Sequence, residues 1–593
     1  MAHIGNLRSL WKTVAARALK SYADGLGLDF EPVDPGSLTA ENPPSPELGD
    51  LAFPLFPFAK VFRKAPAAIA EGVAAEAALI ARDMGIAGSV NPSGPYINIR
   101  FDLSSVLLPL LEDVKSRGDS YGHGHLYSDE KIMIEFSCPN TNKPLHLGHL
   151  RNDSLGESVS RILKANGADV RKVNLINDRG IHICKSMLAY KTFGEGKTPE
   201  SEGRKSDHFV GDYYVKYNGW VKEHPEAEDA AREMLLKWEA GDPETVELWK
   251  TMNSWTIEGV QETYDRTGVS FDDIYYESQT YTAGKTEVMK GLESGAFYRN
   301  EDGSIWVDLE EIGLDKKVLL RSDGTSLYLT QDIGTAIARH KDWPFKRLIY
   351  VVASEQMYHF KVLFHVLKKL GFAWAGNLTH LSYGMVNLPD GKMKSREGTV
   401  VDADDLFSEL AAMAASEIRA KGREEEVGDV EKTAESVALA ALNYYLLQIS
   451  PNKDMVFDPK ESIAFNGNTG PYLQYMGARI SSMLRKYEER KEEFSGASVD
   501  PSLLTVGEER ELIKLVALFP ERVEQAGKEF NPSVITSFLY EISRIFSRYY
   551  HDNPILNNDN RDLSLTRLAL ARAVLQVLKN AYRLVGIPFL DVM

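Results

Sequence analysis

Cysteine is nearly missing from this 593-residue chain, which holds only Cys138 and Cys184. Two thiols cannot by themselves complete a four-ligand zinc site and give no disulfide framework, so no structural zinc is expected and each is read as a small buried residue. No apolar run reaches the length of a membrane span, and Met1 to Leu10 has no signal-peptide core. The expectation is a cytoplasmic protein without a membrane partner. Positive charge is also in deficit, with 68 Lys and Arg against 85 Asp and Glu, a net of −17. That balance argues against indiscriminate binding to a polyanion such as DNA, while leaving room for a local basic surface. Residues 541–593 depart from the average, carrying seven Lys/Arg against five Asp/Glu.

What is present is an ordinary globular composition, 43% apolar and 26% charged, in a chain too long for a single core. The most informative stretch is Lys131 to Gly167. Alternating Ile132, Ile134 and Phe136 predict a strand, Pro139 and Asn140 a loop, and Leu147 to Leu163 a helix stopped by Gly167. His146, Gly148 and His149 fall at the start of that helix, where unpaired N–H groups and the helix dipole favour an anion. Two imidazoles there suit phosphate oxygens, and a glycine between them leaves room for a flat base. Taken alone, an HxGH tetrapeptide is better read as a pair of solvated histidines at a helix start.

The surroundings decide. Val170 to Ile176 reads as a second strand, and strand, helix, strand in that order predict a parallel crossover with its chemistry at the strands' carboxyl ends. Arg347 to Ala353 reads as a central parallel strand, Gln356 to Leu370 as a helix and Leu378 to Val386 as another strand. Lys115 to Glu130, with its glycines, reads as a linker. Residues 192–268 read as a helical insertion whose tryptophans, including Trp220, Trp238, Trp249 and Trp255, are core residues. Six helical patterns follow Asp402. Gly391 to Val401 (GKMKSREGTVV) is a glycine-bounded loop carrying Lys392, Lys394 and Arg396, cations suited to the charge that develops as pyrophosphate leaves.

An early HxGH and a late KMSKS-like loop on a nucleotide fold resemble the class I aminoacyl-tRNA synthetases. The closer resemblance is to the arginyl-tRNA synthetase family, through EFSCPNTNKPLHLGHLRN (Glu135 to Asn152), LYLTQD (Leu327 to Asp332), SEQMYHF (Ser354 to Phe360), GNTGPYLQYMGARI (Gly467 to Ile480) and the closing run from Arg567 to Met593. It covers nearly the whole chain. The fold implied is a Rossmann-like parallel-sheet catalytic domain at 126–402 with the insertion at 192–268. A small α+β N-terminal domain at 1–118 contacts the tRNA elbow, a helical connection spans 403–455, and an all-α anticodon-binding bundle spans 456–593.

The reaction implied is formation of arginyl-adenylate from L-arginine and ATP, with Mg²⁺ expected, and then transfer of arginine to the 3′ end of its tRNA by a monomer. The resemblance places His146, Gly148, His149, Met385, Val386 and Met393 at ATP. It assigns Lys143 the charge missing from the second loop, where Ser395 stands at the usual second lysine beside Lys392, Lys394 and Arg396. It places Glu135, Tyr328 and Asp332 at the guanidinium, and Asn140 and Gln356 at the α-amino end. Cys138, also placed at the arginine, stands where the family commonly has serine. A planar guanidinium with forked donors does require fixed carboxylates and a flat surface, and Tyr328 and Asp332 share a face if helical. Tyr549, Tyr550 and Tyr582 are candidates to stack on unpaired tRNA bases, although core packing is the better reading for any one of them, and Met593 is a candidate anticodon contact. The competing classes are an RNA-binding paralogue without the chemistry and a small-metabolite nucleotidyltransferase.

Overall fold

Continuous apolar runs form the interior of one parallel sheet. The computed structural model describes residues 4–41, 43–281, 283–323, 327–389, 401–556 and 559–593. Its central sheet contains β1 (Lys131–Glu135), β2 (Asp169–Ile176), β3 (Asp273–Tyr276), β4 (Arg347–Ala353) and β5 (Leu378–Tyr383), in spatial order β5-β4-β1-β2-β3. Every adjacent pair is parallel. Ile132, Met133 and Ile134 on β1 and Leu348, Ile349 and Val351 on β4 are buried, as strands covered on both faces require. The chain leaves β1 toward β3 and returns to β4 beside β1, so strand order reverses between β1 and β4 and opens a crevice at their carboxyl ends.

β3, only four residues long and at the edge of the sheet, was not anticipated from the sequence. β5 is shorter than expected because Gly384 lies against Lys453, where an added Cβ would come within 2.3 Å of the Lys453 carbonyl carbon. A small antiparallel sheet, Tyr298–Arg299, Ile305–Val307 and Lys317–Leu320, supports the far side.

Helix α1 (Leu147–Ala165) follows β1 and is buried along nearly its whole length. The insertion supplies Ser206–Trp220, Ala227–Glu239 and α2 (Pro243–Thr267). Trp220, Trp249 and Trp255 pack against its core of Met187, Phe209, Tyr217 and Met252. Helix α3 (Tyr328–Asp342) crosses the Ala283–Glu293 helix so closely that a Cβ on Gly284 would sit 1.7 Å from the Thr330 carbonyl oxygen. Helix α4 (Ala403–Ala420) begins just after the second loop, whose residues Lys392, Met393, Lys394 and Arg396 lie outside the described residues.

The N-terminal part pairs helices Ile4–Gly25 and Pro66–Asp83 with an antiparallel sheet of Leu51–Pro54, Tyr96–Phe101 and Gly88–Ser93. The stretch read as a linker is different in structure. Its first residues end a helix, Ser104–Arg117, and the remainder is strapped to the C-terminal bundle. Tyr121 is fully buried and donates to the Val516 carbonyl at 2.8 Å, while Asn580 donates to the carbonyls of Gly118 and Tyr121 at 2.9 and 2.8 Å.

Val430–Leu447, in the helical connection, and the bundle helices Gly470–Glu489, Gly507–Glu529, Ser533–Asp552 and Arg561–Leu584 lie within a few residues of the patterns expected at 434–448, 472–490, 509–526, 534–550 and 565–584. The bundle's aromatics correct one expectation. Tyr582 is fully buried with its hydroxyl donating to the Leu473 carbonyl at 2.5 Å, and Tyr549 is buried with its hydroxyl on Glu509 at 3.0 Å. Neither presents a ring for base stacking. Tyr550 is half-buried beneath the Arg479 guanidinium. Met593 is buried in the core, its carbonyl accepting from Arg423, so its side chain is not an exposed tRNA contact.

Candidate active site

The two histidines fix one another through the backbone. His146 is the N-cap of α1, its Nδ1 accepting the Gly148 N–H at 3.1 Å, and His149 Nδ1 accepts the His146 N–H at 3.2 Å. A ring nitrogen that accepts cannot carry the proton, so each neutral imidazole bears its hydrogen on Nε2. Burial, and secondarily the nearby Lys143 ammonium, lower His146 to about 4. Burial, with His146 and Lys143 adding to it, holds His149 well below the usual histidine range. Both are therefore neutral Nε2–H donors at pH 7 rather than cations. Lys143 is half-buried, lowered by burial, and pairs with no carboxylate among the described residues.

Val401 to Ala403, at the start of α4, lie against this motif. The Leu147 N–H donates to the Val401 carbonyl at 3.1 Å and the Ala403 N–H to the Leu145 carbonyl at 3.0 Å, on either side of the His146–Asp402 bridge. Met385 and Val386, just beyond β5, are held by the 454–456 segment. The Met385 N–H donates to Asp454 at 2.7 Å, and Val386 pairs with Met455.

Beside the crevice lies a cavity of about 250 Å³ whose lining includes Asn140, Arg179, Glu277, Tyr328, Gln331 and Asp332. Tyr328, at the first turn of α3, is 75% exposed at the mouth. Asp332 stands one turn on, its Oδ2 accepting from His359 Nε2 at 2.6 Å. Three of the arginine residues expected from sequence thus line one cavity, while the other three sit elsewhere. Glu135 is buried at the end of β1 and ion-paired with the fully buried Arg339, so its charge is met within the protein. Cys138 contributes its backbone, the N–H donating to Asn174 at 3.0 Å. Gln356 is exposed beyond β4 and outside the cavity lining, and from the same segment it is His359 that reaches Asp332.

Sequence reasoning missed Glu277 and Arg179. Burial pushes the Glu277 carboxyl up to about 7, against the pull of Arg179. Arg179 Nη1 lies 3.7 Å from Glu277, Nη2 lies 2.8 Å from Glu239, and the guanidinium covers the Tyr281 ring at 4.2 Å. The Gln331 amide, in the orientation that satisfies both ends, donates to Glu277 and accepts from Arg179, each at 2.9 Å. An Asp-Arg pair after a strand was the available signal, but its partner lies on a distant segment.

Asp153, one turn beyond His149, is 2% exposed, and burial raises its carboxyl to about 8. It binds a proton in the folded chain at pH values where the unfolded chain has lost it, so its contribution to stability is full below about pH 4 and falls as pH rises toward 8. Asp153→Asn, isosteric and neutral, is expected to match the parent in thermal midpoint near pH 4.5. It should exceed the parent increasingly up to pH 8, with a slope of at most about 1.4 kcal/mol per pH unit. Parallel melting curves across that range would contradict the protonated carboxyl.

Three family models match this chain: "tRNA synthetases class I (R), catalytic domain" over residues 113–459, "DALR anticodon binding domain" over 473–593, and "Arginyl tRNA synthetase N terminal domain" over 10–101. The arginine–tRNA ligase of Treponema denticola is 58% identical over 99% of this chain and 100% of its own. That of Borrelia hermsii is 44% identical over 98% of each. Among solved structures, the arginyl-tRNA synthetase of Thermus thermophilus superposes with a TM-score of 0.77 at 25% identity, covering 98% of this chain and 99% of that one. A catalytic sheet, an N-terminal domain and a helical bundle matched end to end leave one assignment: the chain belongs to the arginyl-tRNA synthetase family, the arginine–tRNA ligases, and ATP is its substrate.

Proposed function

We propose that arginyl-adenylate forms in the crevice between β1 and β4, with ATP against His146, Gly148 and His149 and the substrate arginine in the cavity beside Asp332. The observation that carries this reading is the pair of Nδ1 acceptor bonds, which leaves two neutral Nε2–H donors at a helix start next to a lysine with no carboxylate partner among the described residues. The arginine carboxylate attacks the α-phosphorus, pyrophosphate leaves, and the donors and Lys143 stabilise the added negative charge. Met385, Val386 and Met393 border the adenine. Lys392, Lys394 and Arg396 supply further charge from the second loop. Asp332 and the Tyr328 ring receive the guanidinium, Glu277 closes the same cavity, and Asn140 faces the α-amino end.

In the second step the 3′-terminal adenosine of the arginine tRNA takes the aminoacyl group. The N-terminal domain, 1–118, engages the tRNA elbow and the bundle, 456–593, the anticodon, on either side of a catalytic domain at 126–402. Mg²⁺ enters with ATP as its counter-ion. The Asp207, His208 and Asp404 cluster is not shaped to hold it, because the Lys205 ammonium already lies 2.7 Å from Asp404 and 3.1 Å from Asp207. We infer a cytoplasmic monomer; among the described residues no helix is long and apolar enough to cross a membrane.

The test is arginine-dependent exchange of pyrophosphate into ATP, with and without arginine tRNA. Exchange that needs arginine is expected, and its absence in folded, tRNA-binding protein would favour the paralogue without chemistry. Lys143→Ala should slow single-turnover adenylate formation by about 10²-fold. An unchanged rate would return the leading cation role to the second loop.

A further inference from the structure

Between β1 and Pro139 the backbone takes a path that L residues avoid. Ser137 and Cys138 have φ of 73° and 51°, two consecutive non-glycine residues in the left-handed region. Such a turn persists only where its surroundings over-determine it. Here they do. The Ser137 N–H donates to Asn152 Oδ1 at 2.6 Å, and the Cys138 N–H donates to Asn174 Oδ1 at 3.0 Å. Asn152 is itself held from α1 across to the Val351 carbonyl on β4 at 2.7 Å.

The remaining support comes from the insertion. Tyr264, in the last turn of α2, places its hydroxyl 2.6 Å from Ser137 Oγ and receives Asn174 Nδ2 at 3.2 Å. A hydroxyl that accepts from Asn174 has its proton free for Ser137. By engaging Nδ2, Tyr264 also turns the Asn174 amide so that Oδ1 faces the Cys138 N–H. Tyr264, Ser137 and Asn174 are 3%, 6% and 0% exposed, so water does not substitute for any of these bonds. Asn140, two residues past the turn, lines the cavity.

We propose that Tyr264 is a positioning residue for the amino acid substrate, holding the strained Ser137–Cys138 turn that presents Asn140 to arginine. The inserted subdomain thereby acts on substrate recognition through one hydroxyl group. This rests on the assignment of the cavity to arginine.

The test compares Tyr264→Phe, Ser137→Gly and the double variant in tRNA-dependent pyrophosphate exchange. Tyr264→Phe is expected to raise the KM for arginine about tenfold, the loss of one buried hydrogen bond, with the KM for ATP within twofold of the parent. Ser137 keeps its side-chain hydrogen bond to Asp153 in Tyr264→Phe, so what that variant loses is support for the strained turn. Adding Ser137→Gly puts glycine where φ is positive, relieves that strain and should restore most of the arginine KM. A rise in both KM values together, no rise at all, or no rescue by glycine would each overturn the proposal. Asp332→Asn run in parallel separates the two levels. If it leaves the arginine KM unchanged, the cavity assignment fails and the role of Tyr264 with it. If it raises that KM while Tyr264→Phe does not, the role of Tyr264 alone fails.

Discussion

Asp332→Asn is expected to lower kcat/KM for arginine by about 10³-fold while tRNA binding stays unchanged. Asparagine keeps the volume and can still accept from His359 Nε2, which lies 2.6 Å from the native carboxylate, so α3 should fold as before. What disappears is the negative charge facing the guanidinium. Leaving a desolvated cation without its partner costs about 3–5 kcal/mol, which sets the size of the effect. The same change should reduce discrimination against citrulline, a neutral isostere with no use for a carboxylate. Exchange measured against arginine and citrulline, together with filter retention of tRNA, checks both parts. A shift in arginine KM of under threefold would remove Asp332 from the site.

The second large effect is at His146, where two substitutions separate two roles. His146→Asn retains an oxygen able to cap α1 at the Gly148 N–H but has nothing at the Nε2 position. Its melting temperature should stay near the parent's, with adenylate formation slowed by about 10³-fold, as for loss of a preorganised donor. His146→Gln reaches outward with an N–H but caps poorly, so it should lose about 1 kcal/mol of stability and retain more of the rate. Equal rates for the two would mean that His146 serves α1 alone. The low pKa of His146, about 4, adds a pH signature. The unfolded imidazole takes up a proton near pH 6.5 and the folded one does not, so the folded state loses stability as pH falls from about 6.5 toward 4. Protonation of His146 should leave the rate untouched down to about pH 5.

Much of this architecture is legible in the sequence because apolar spacing reports burial directly. Lys131 to Gly167, Arg347 to Ala353 and the helices after Asp402 all fall where their periodicity puts them. Residues 104–114, with Pro109 inside the helix, lacked a predicted element, and 115–130 resembled a linker because glycine content says nothing about what a segment lies against. The site divides in the same way. Asn140, Tyr328 and Asp332 belong to short motifs and meet as expected. Glu135 carries no mark in the sequence of its pairing with Arg339, more than two hundred residues away. Arg179 with Glu277 and Asp332 with His359 are likewise products of the fold, since a side chain's partner is chosen by topology rather than by its neighbours in the chain.

Helix α1 has a mechanical meaning beyond its caps. At 19 residues it is a beam about 28 Å long, with His146 at one end. It is pinned at intervals: Arg151 to the Pro451 and Lys453 carbonyls at 3.0 and 2.8 Å, Ser154 to Asn443 at 2.9 Å, Ser158 to the Leu584 carbonyl at 2.8 Å and Asn166, just beyond its end, to the Val523 carbonyl at 2.9 Å. Those anchors lie in the bundle and the segments leading into it. The beam that carries His146 and His149 therefore has its footings in the bundle that matches the anticodon-binding family model and in the segments leading into it, and the two share one foundation.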